Sequence, residues 1–419
     1  MTSAIPAETI SLFIVNYYNF YYGGENMLLS LSLILIIGFT LSGILSRFRI
    51  PGLIGLIFTG ILLGPQGLDL ISMDILNISK DLREIALIVI LLRAGLTLDL
   101  RDLKKVGRPA VLMSFVPATL EILAIFFIAP PLLGISHIEA LILGSVLSAV
   151  SPAVVVPRMI HLMESGYGRK KRIPQMVLAG ASVDDIYVIV LFTAFLGLYG
   201  GNQLNAGVFL SVPVSVLSGM ALGILAGVVM VSVFRKIHVR DTIKVLIILS
   251  VSFLFMSFED FIAPYFPLSG LLAVMALGGT ILKGYEMLAR RIIGKFSKIW
   301  VGAEILLFVL VGAAVEIEAL SGVGLKSVLL IGCALLFRMI GVFISLIRTN
   351  LSRKERLFTA IAYLPKATVQ AAIGTIPLSQ GVAAGDTILS LAVLAIMLTA
   401  PLGAFGIDHL HKKLLERDA

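Results

Sequence analysis

The stretch "LSAVSPAVVVP" (147–157) lies within an apolar run over 136–160, long enough to cross a bilayer as a helix. Pro152 stands in its middle. Proline has no N–H, and its ring clashes with the carbonyl four residues back, here that of Ser148. The helix should unwind there and free the carbonyls of Ser148, Ala149 and Val150. Freed carbonyls at membrane depth are tolerated only when buried in protein or lining a wet cavity. One such proline is an ordinary kink. This chain has a second, in "IAYLPKATVQAAIG" (361–374), where Pro365 opposes the carbonyl of Ile361 and Lys366 follows it.

Working outward, the two prolines are 213 residues apart. "IPGLIGLIFTGILLG" from Ile50 and "FPLSGLLAVMALGGTILKG" from Phe266 begin alike at an offset of 216, and Glu121 and Arg338 are 217 apart. A near-constant offset argues for a structural repeat. Seven spans separate each pair, an odd number, so the repeats are inverted in the membrane. The expected fold is an all-α polytopic membrane protein of thirteen transmembrane helices, with two inverted repeats of six and two crossed broken helices. The repeats cover 27–200 and 243–406, and a linker helix lies in 201–242. Residues 1–26 form an N-terminal segment and 407–419 a tail. Matched broken helices in inverted repeats belong to secondary transporters, with the site at the midplane.

Composition agrees. Of 419 residues, 58% are hydrophobic and 14% charged, with mean hydropathy +1.03. A soluble domain carries about 25% charged residues. Apolar runs and their breakers give spans at 27–47, 51–66, 82–98, 109–130, 136–160, 174–200, 207–234, 243–258, 268–283, 297–315, 323–347, 356–378 and 385–406. "TISLFIVNYYNFYY" (9–22) is a fourteenth crossing or an interfacial segment with an aromatic belt. Of the 33 Lys and Arg, 26 fall in the connections after odd-numbered spans and in the tail. The intervening loops hold only Lys80, Arg83 and Lys326. By the positive-inside rule those odd connections and the C-terminus are cytoplasmic. The net charge of +8 is thus a topology signal, and no nucleic-acid partner is expected. The glycines of "GLIGLIFTG" (52–60) lie inside a span and not after a strand, so no nucleotide is expected. Cys333 is alone and reads as a small core residue. Five histidines without HExxH spacing give a metal enzyme no support. No Lys or Arg precedes Arg47, so the basic start of a cleaved signal peptide is missing.

Seven ionisable residues fall within spans and away from their ends, or nearly so: Arg93, Glu121, Asp184, Asp185, Glu304, Arg338 and Lys366. In lipid such residues pair or line an aqueous path. Arg93 and Glu304 lie near span ends, where they can snorkel, and Glu304 can instead accept from a helix N-terminus. Glu121 and Arg338 read as a buried structural ion pair. Lys366 can offset the negative end of a half-helix. The acids in "ASVDDIYVIVLF" (181–192) are harder to place as structure. Adjacent helical residues point about 100° apart, so one can face a cationic partner while the other faces a cavity. A carboxylate in a partly dry cavity can hold a proton or a hard cation in competition.

Together "AVSPAVVVP" (149–157), "ASVDDI" (181–186) and "YLPKATVQAAIG" (363–374) resemble the cation:proton antiporter superfamily, closest to its NHA-type sodium/hydrogen exchanger branch. The resemblance covers spans 2–13. It implies a homodimer in the cell (inner) membrane, a dimerisation domain, and a core domain that moves like an elevator. Asp184 and Asp185 match the acid pair, the second being the main carrier. Many relatives have a lysine on the eleventh span; here the position is Arg338, with Glu121 as partner, and an arginine does not release a proton. Ser151-Pro152 stands where many bacterial relatives have Thr-Asp. The cation and proton site is therefore placed at Asp184 and Asp185, with Ala149, Val150, Ser151 and Ala181 around it and Pro152, Pro365 and Lys366 at the crossing. No cofactor is expected, only transported Na⁺ or Li⁺ and H⁺. The competing readings are a K⁺/H⁺ antiporter, from which the missing nucleotide-binding regulatory domain detracts, and a channel or sensor.

Overall fold

The computed structural model describes residues 26–48, 50–97, 106–200, 206–237, 239–262, 265–315 and 317–417. The segment 9–22, read as a crossing or an interfacial stretch, lies outside them. The described residues form helices throughout, and their one β contact is an isolated bridge between Tyr167 and Arg417. In chain order the helices are α1 (Met27–Arg47), α2 (Gly52–Leu63), α3 (Met73–Asn77), α4 (Ser79–Thr97), α5 (Arg108–Met113), α6 (Val116–Leu133), α7 (His137–Ser148), α8 (Pro152–Glu164) and α9 (Ile173–Gly200). They continue with α10 (Ala206–Lys236), α11 (Asp241–Ile262), α12 (Gly270–Gly284), α13 (Glu286–Ala313), α14 (Ile317–Ser345), α15 (Arg353–Ala362), α16 (Thr368–Ile373), α17 (Ile376–Ser379) and α18 (Gly385–Leu414).

Each expected span falls on one helix or a broken run of helices. Among the described residues nine such stretches are long and apolar enough to cross a bilayer, and α2 and α12 are shorter apolar helices. The chain is a polytopic membrane protein. Helix α18 runs on to Leu414, into the expected tail, and two further boundaries differ from expectation. The fourth span is split at Ser114 and Phe115, because Pro117 cannot donate to the carbonyl of Met113 and α6 restarts with that proline in its first turn. Helix α13 begins eleven residues before its expected span, at Glu286. That extension is amphipathic. Leu288, Ala289, Ile292 and Phe296 are buried on one face while Arg290 and Arg291 stay outside. An apolar-run count cannot see such a turn. Cys333 is half-buried rather than in the core.

The proline breaks are real interruptions. Helix α7 ends at Ser148 and α8 starts at Pro152, with Ala149 and Ser151 extended. Helix α15 ends at Ala362, and α16 starts at Thr368. Both broken runs open on a capping box, Ser136 with Glu139 and Ser352 with Glu355. In each, the serine and glutamate satisfy one another's backbone donors. The two boxes lie 216 positions apart.

Packing sorts the helices into two groups. One contains α1, α2, α4, α10, α11, α12 and α13; the other contains α5–α9, α14, α15 and α18. Within the first, α2 crosses α13 where Gly60 and Gly312 leave no room for a Cβ, since the backbones of Ile57 and Val309 would meet it. Gly95 of α4 and Gly278 of α12 meet in the same way. Lipid gives little hydrophobic drive between helices, so close backbone approach through small residues supplies the contact. The two broken runs cross within the second group. Short α16 lies where the groups meet, touching α4 and α13 as well as α7 and α18.

Candidate cation-binding site

At the crossing the Ser151 N–H donates to the Pro365 carbonyl at 2.8 Å. The two breaks thus bind each other directly. Around them lies a buried chain of charge. Arg338 of α14, 0% exposed, donates through Nε to the Tyr363 carbonyl at 2.6 Å. Its Nη1 donates to Glu121 Oε2 at 2.8 Å and to the carbonyl of Ser148, and its Nη2 to Asp184 Oδ2 at 3.0 Å. Lys366 Nζ lies 2.7 Å from both oxygens of Glu121. The order is Lys366, Glu121, Arg338, Asp184, of alternating sign.

Helix electrostatics explain why an arginine sits there. Ser148 closes α7 and Tyr363 follows the last residue of α15, so two half-helices direct their negative C-terminal ends at one guanidinium. A fork of five donors can serve two carbonyls and two carboxylates at once. Asp184 answers from the other side. Its Oδ2 also accepts from the Val150 N–H at 2.9 Å, a donor that the break has removed from any helix ladder.

Several expected features land differently. The carbonyl of Ala149, expected to be free, accepts from Gln370 Nε2 at 2.8 Å. Gln370 also closes its own turn, accepting from the Ala367 N–H at 2.8 Å. Val150, expected to offer its carbonyl to a cation, has its N–H on Asp184 Oδ2. Ala181 is buried within unbroken α9, one turn before the acids. Lys366, expected to offset a half-helix end, spends its ammonium on Glu121, while its N–H donates to Thr399 Oγ1 at 2.9 Å. Gln370 and Thr368 carry no ionisable group, so neither a charge within a span nor a helix-breaking proline points to them. An amide and two hydroxyls in "KATVQAAIGT" (366–375) were the available signal.

Asp185 stands apart from this chain. It is 7% exposed and forms part of the wall of a cavity of ≈ 640 Å³. The other lining comes from Leu178 of the same helix, from α4, α8 and α13, and from Thr368 at the start of α16. The cavity therefore lies between the two helix groups, and Thr97, Ala153, Pro157 and Gly294 of its lining are exposed. Among the described residues Asp184 Oδ1, Asp185 Oδ1, Ser151 Oγ, Thr368 Oγ1 and the Tyr363 hydroxyl are buried without a hydrogen-bond partner in the chain. Orphaned buried polar groups are costly and point to a ligand or water. Oxygens of this kind suit a hard monovalent cation.

Comparison with known proteins agrees with this architecture. Residues 31–413 match the family described as "Sodium/hydrogen exchanger, transmembrane". The chain is 35% identical over 387 residues to human sodium/hydrogen exchanger 9B2, covering 88% of this chain and 70% of that protein. Human sodium/hydrogen exchanger 9B1 is 32% identical over 354 residues, covering 81% and 67%. The fold matches the sodium proton antiporter MjNhaP1 of Methanocaldococcus jannaschii with a TM-score of 0.77 at 21% identity, covering 92% of this chain and 97% of that one. With two crossed broken helices, a buried charge chain and a family match along almost its whole length, the chain belongs to the transmembrane sodium/hydrogen exchangers, which are secondary transporters and not enzymes.

Proposed function

We propose that this protein exchanges Na⁺, or Li⁺, for H⁺ across the cell membrane, with the Asp184–Asp185 pair taking cation and proton in turn. The observation that carries this reading is the isolation of Asp185. At ordinary charges Lys366, Glu121, Arg338 and Asp184 sum to zero. Asp185 is the carboxylate left over, and it borders the cavity. One monovalent cation or one proton restores neutrality to the buried cluster, and the two exclude each other. Oxygens of Ser151, Thr368 and Asp184 are candidates for the rest of the cation shell; none of them titrates with the cargo except the carboxylate.

Alternating access follows from the two helix groups. The first three spans of each half belong to one group and the last three to the other, which is what two inverted repeats around a linker (here α10) would produce. The group carrying the acids slides against the group carrying α4 and α13, and the cavity closes on one side as it opens on the other. The basic connections and the C-terminus face the cytoplasm, and the protein works as a homodimer, as the resemblance implies.

The test is exchange in proteoliposomes with a pH-sensitive dye, over Na⁺ series at several pH values. As pH falls, protons occupy Asp185 and Na⁺ must displace them, so KM for Na⁺ rises. On the acid side the rise is about tenfold per pH unit for one competing proton, and above it KM flattens. Asp185→Asn should reduce exchange to background in a protein that still folds. A KM independent of pH, with only the maximal rate changing, would sink the shared site. Substituting Li⁺ and K⁺ in the same assay sets the cation preference.

A further inference from the structure

Glu304 is a half-buried carboxylate that the charge chain does not use. It lies on α13, in the helix group opposite Asp185, and lines the same ≈ 640 Å³ cavity. Gly294, Ser297, Trp300 and Glu304 line it together. Their spacings of three, three and four keep them on one stripe of α13. At 1.5 Å per residue the stripe descends about 15 Å from exposed Gly294 to Glu304. Glu304 also lines a second cavity of ≈ 290 Å³ with Ser42, Ala153 and Arg158. Ala153 is shared too, so the two cavities meet at this carboxylate. Arg93 faces the larger cavity from α4, its guanidinium 5.4 Å from the centre of the Trp300 ring. Neither Arg93 nor Glu304 snorkels out of the protein, as their places near span ends suggested.

We propose that Glu304 is an affinity-setting residue for the transported cation, a carboxylate on the cavity wall that offsets Arg93 and draws Na⁺ in towards Asp185. This rests on the exchange reading above. A cavity lined by Arg93 alone would repel cations. The Trp300 face holds that guanidinium against the wall, and Glu304 faces it with the opposite charge. Low-dielectric walls focus such a field and raise the local cation concentration. Because Glu304 is outside the group that carries Asp185, it can act only while the site faces this cavity. Its effect must therefore be one-sided.

The experiment measures Na⁺ dependence of exchange in right-side-out and everted vesicles for wild type, Glu304→Gln, Glu304→Asp and Asp185→Asn, with thermal unfolding in detergent over a Na⁺ series for each. Glu304→Gln should raise KM for Na⁺ about three- to tenfold on the cavity side, leave KM on the other side unchanged, and keep the maximal rate within about twofold. Glu304→Asp should restore most of the wild-type KM. The Na⁺ concentration that stabilises Glu304→Gln in detergent should rise by a similar factor, a reading independent of transport. An unchanged KM, or an equal rise on both sides, overturns the role of Glu304. Full exchange by Asp185→Asn overturns the carrier assignment instead and leaves the Glu304 result to be judged by its own sidedness.

Discussion

The two broken helices meet on equal terms as backbone and on unequal terms as charge. The first break, 149–151, carries no ionisable residue and takes its partners from elsewhere: Asp184 for the Val150 N–H, Gln370 for the Ala149 carbonyl, Arg338 for the Ser148 carbonyl. The second, 363–367, brings its own cation in Lys366, which then requires Glu121. A break without charge can be served by neutral or charged donors from several helices. A break with a buried ammonium needs a carboxylate. The asymmetry explains why Glu121 is clasped by two cations while Asp184 is clasped by one, and why the next acid, Asp185, remains outside the balance.

The comparison can be broken most severely at Arg338, the residue that serves both breaks. Arg338→Ala leaves Asp184 with no cation, strips Glu121 of one of its two and frees two helix-end carbonyls. Removing one partner of a buried pair costs about 3–5 kcal/mol, and this removal should reach the top of that range in unfolding measurements in detergent. A loss below about 1 kcal/mol would mean that water replaces the guanidinium and the site is wet throughout.

A smaller effect sharpens the charge asymmetry. Lys366→Ala leaves Glu121 with Arg338, and Glu121→Ala leaves Lys366 with no carboxylate within salt-bridge distance among the described residues. The double variant removes one charge of each sign and keeps the Arg338–Asp184 pair. Its loss should be less than the sum of the single losses by about 1–3 kcal/mol. Additive losses would show that the 2.7 Å contact carries no coupling. Pairing Glu121→Ala with Arg338→Ala instead should recover little, because Lys366 and Asp184 are both stranded.

The smallest effect is at the uncharged break. Gln370→Ala removes the amide that closes α16 and holds the Ala149 carbonyl. Polar contacts between membrane helices average about 0.6 kcal/mol, so a loss of about 1 kcal/mol is expected, with exchange retained and KM for Na⁺ altered if Ala149 is freed to join the cation shell. A loss as large as that of Arg338→Ala would mean that the first break depends on Gln370 and not on the arginine.

Much of this was legible in one dimension. The spans follow from the length of apolar runs, because a bilayer imposes a thickness that composition must match. The breaks follow from Pro152 and Pro365, because a missing N–H and a ring clash are local facts. The pairing of Glu121 with Arg338 was suggested by matching repeat offsets, and the structure places them 2.8 Å apart. The capping boxes at Ser136 and Ser352 were also readable, as S-x-x-E before two apolar runs.

What only the tertiary structure decided is who neutralises whom. Lys366 and Glu121 are 245 positions apart, and Gln370 and Ala149 are 221 apart. No periodicity links such pairs; they meet because two interrupted helices cross and bring their ends to one point. The same holds for Glu304 and Asp185, which stand on different helix groups and share a cavity only through packing. Local sterics and hydropathy act over a few residues and are written in the chain. Electrostatic balance in a low-dielectric interior is settled over space, so the sequence by itself determined the breaks and the spans, and the fold determined that Asp185 stands outside the balanced charge chain.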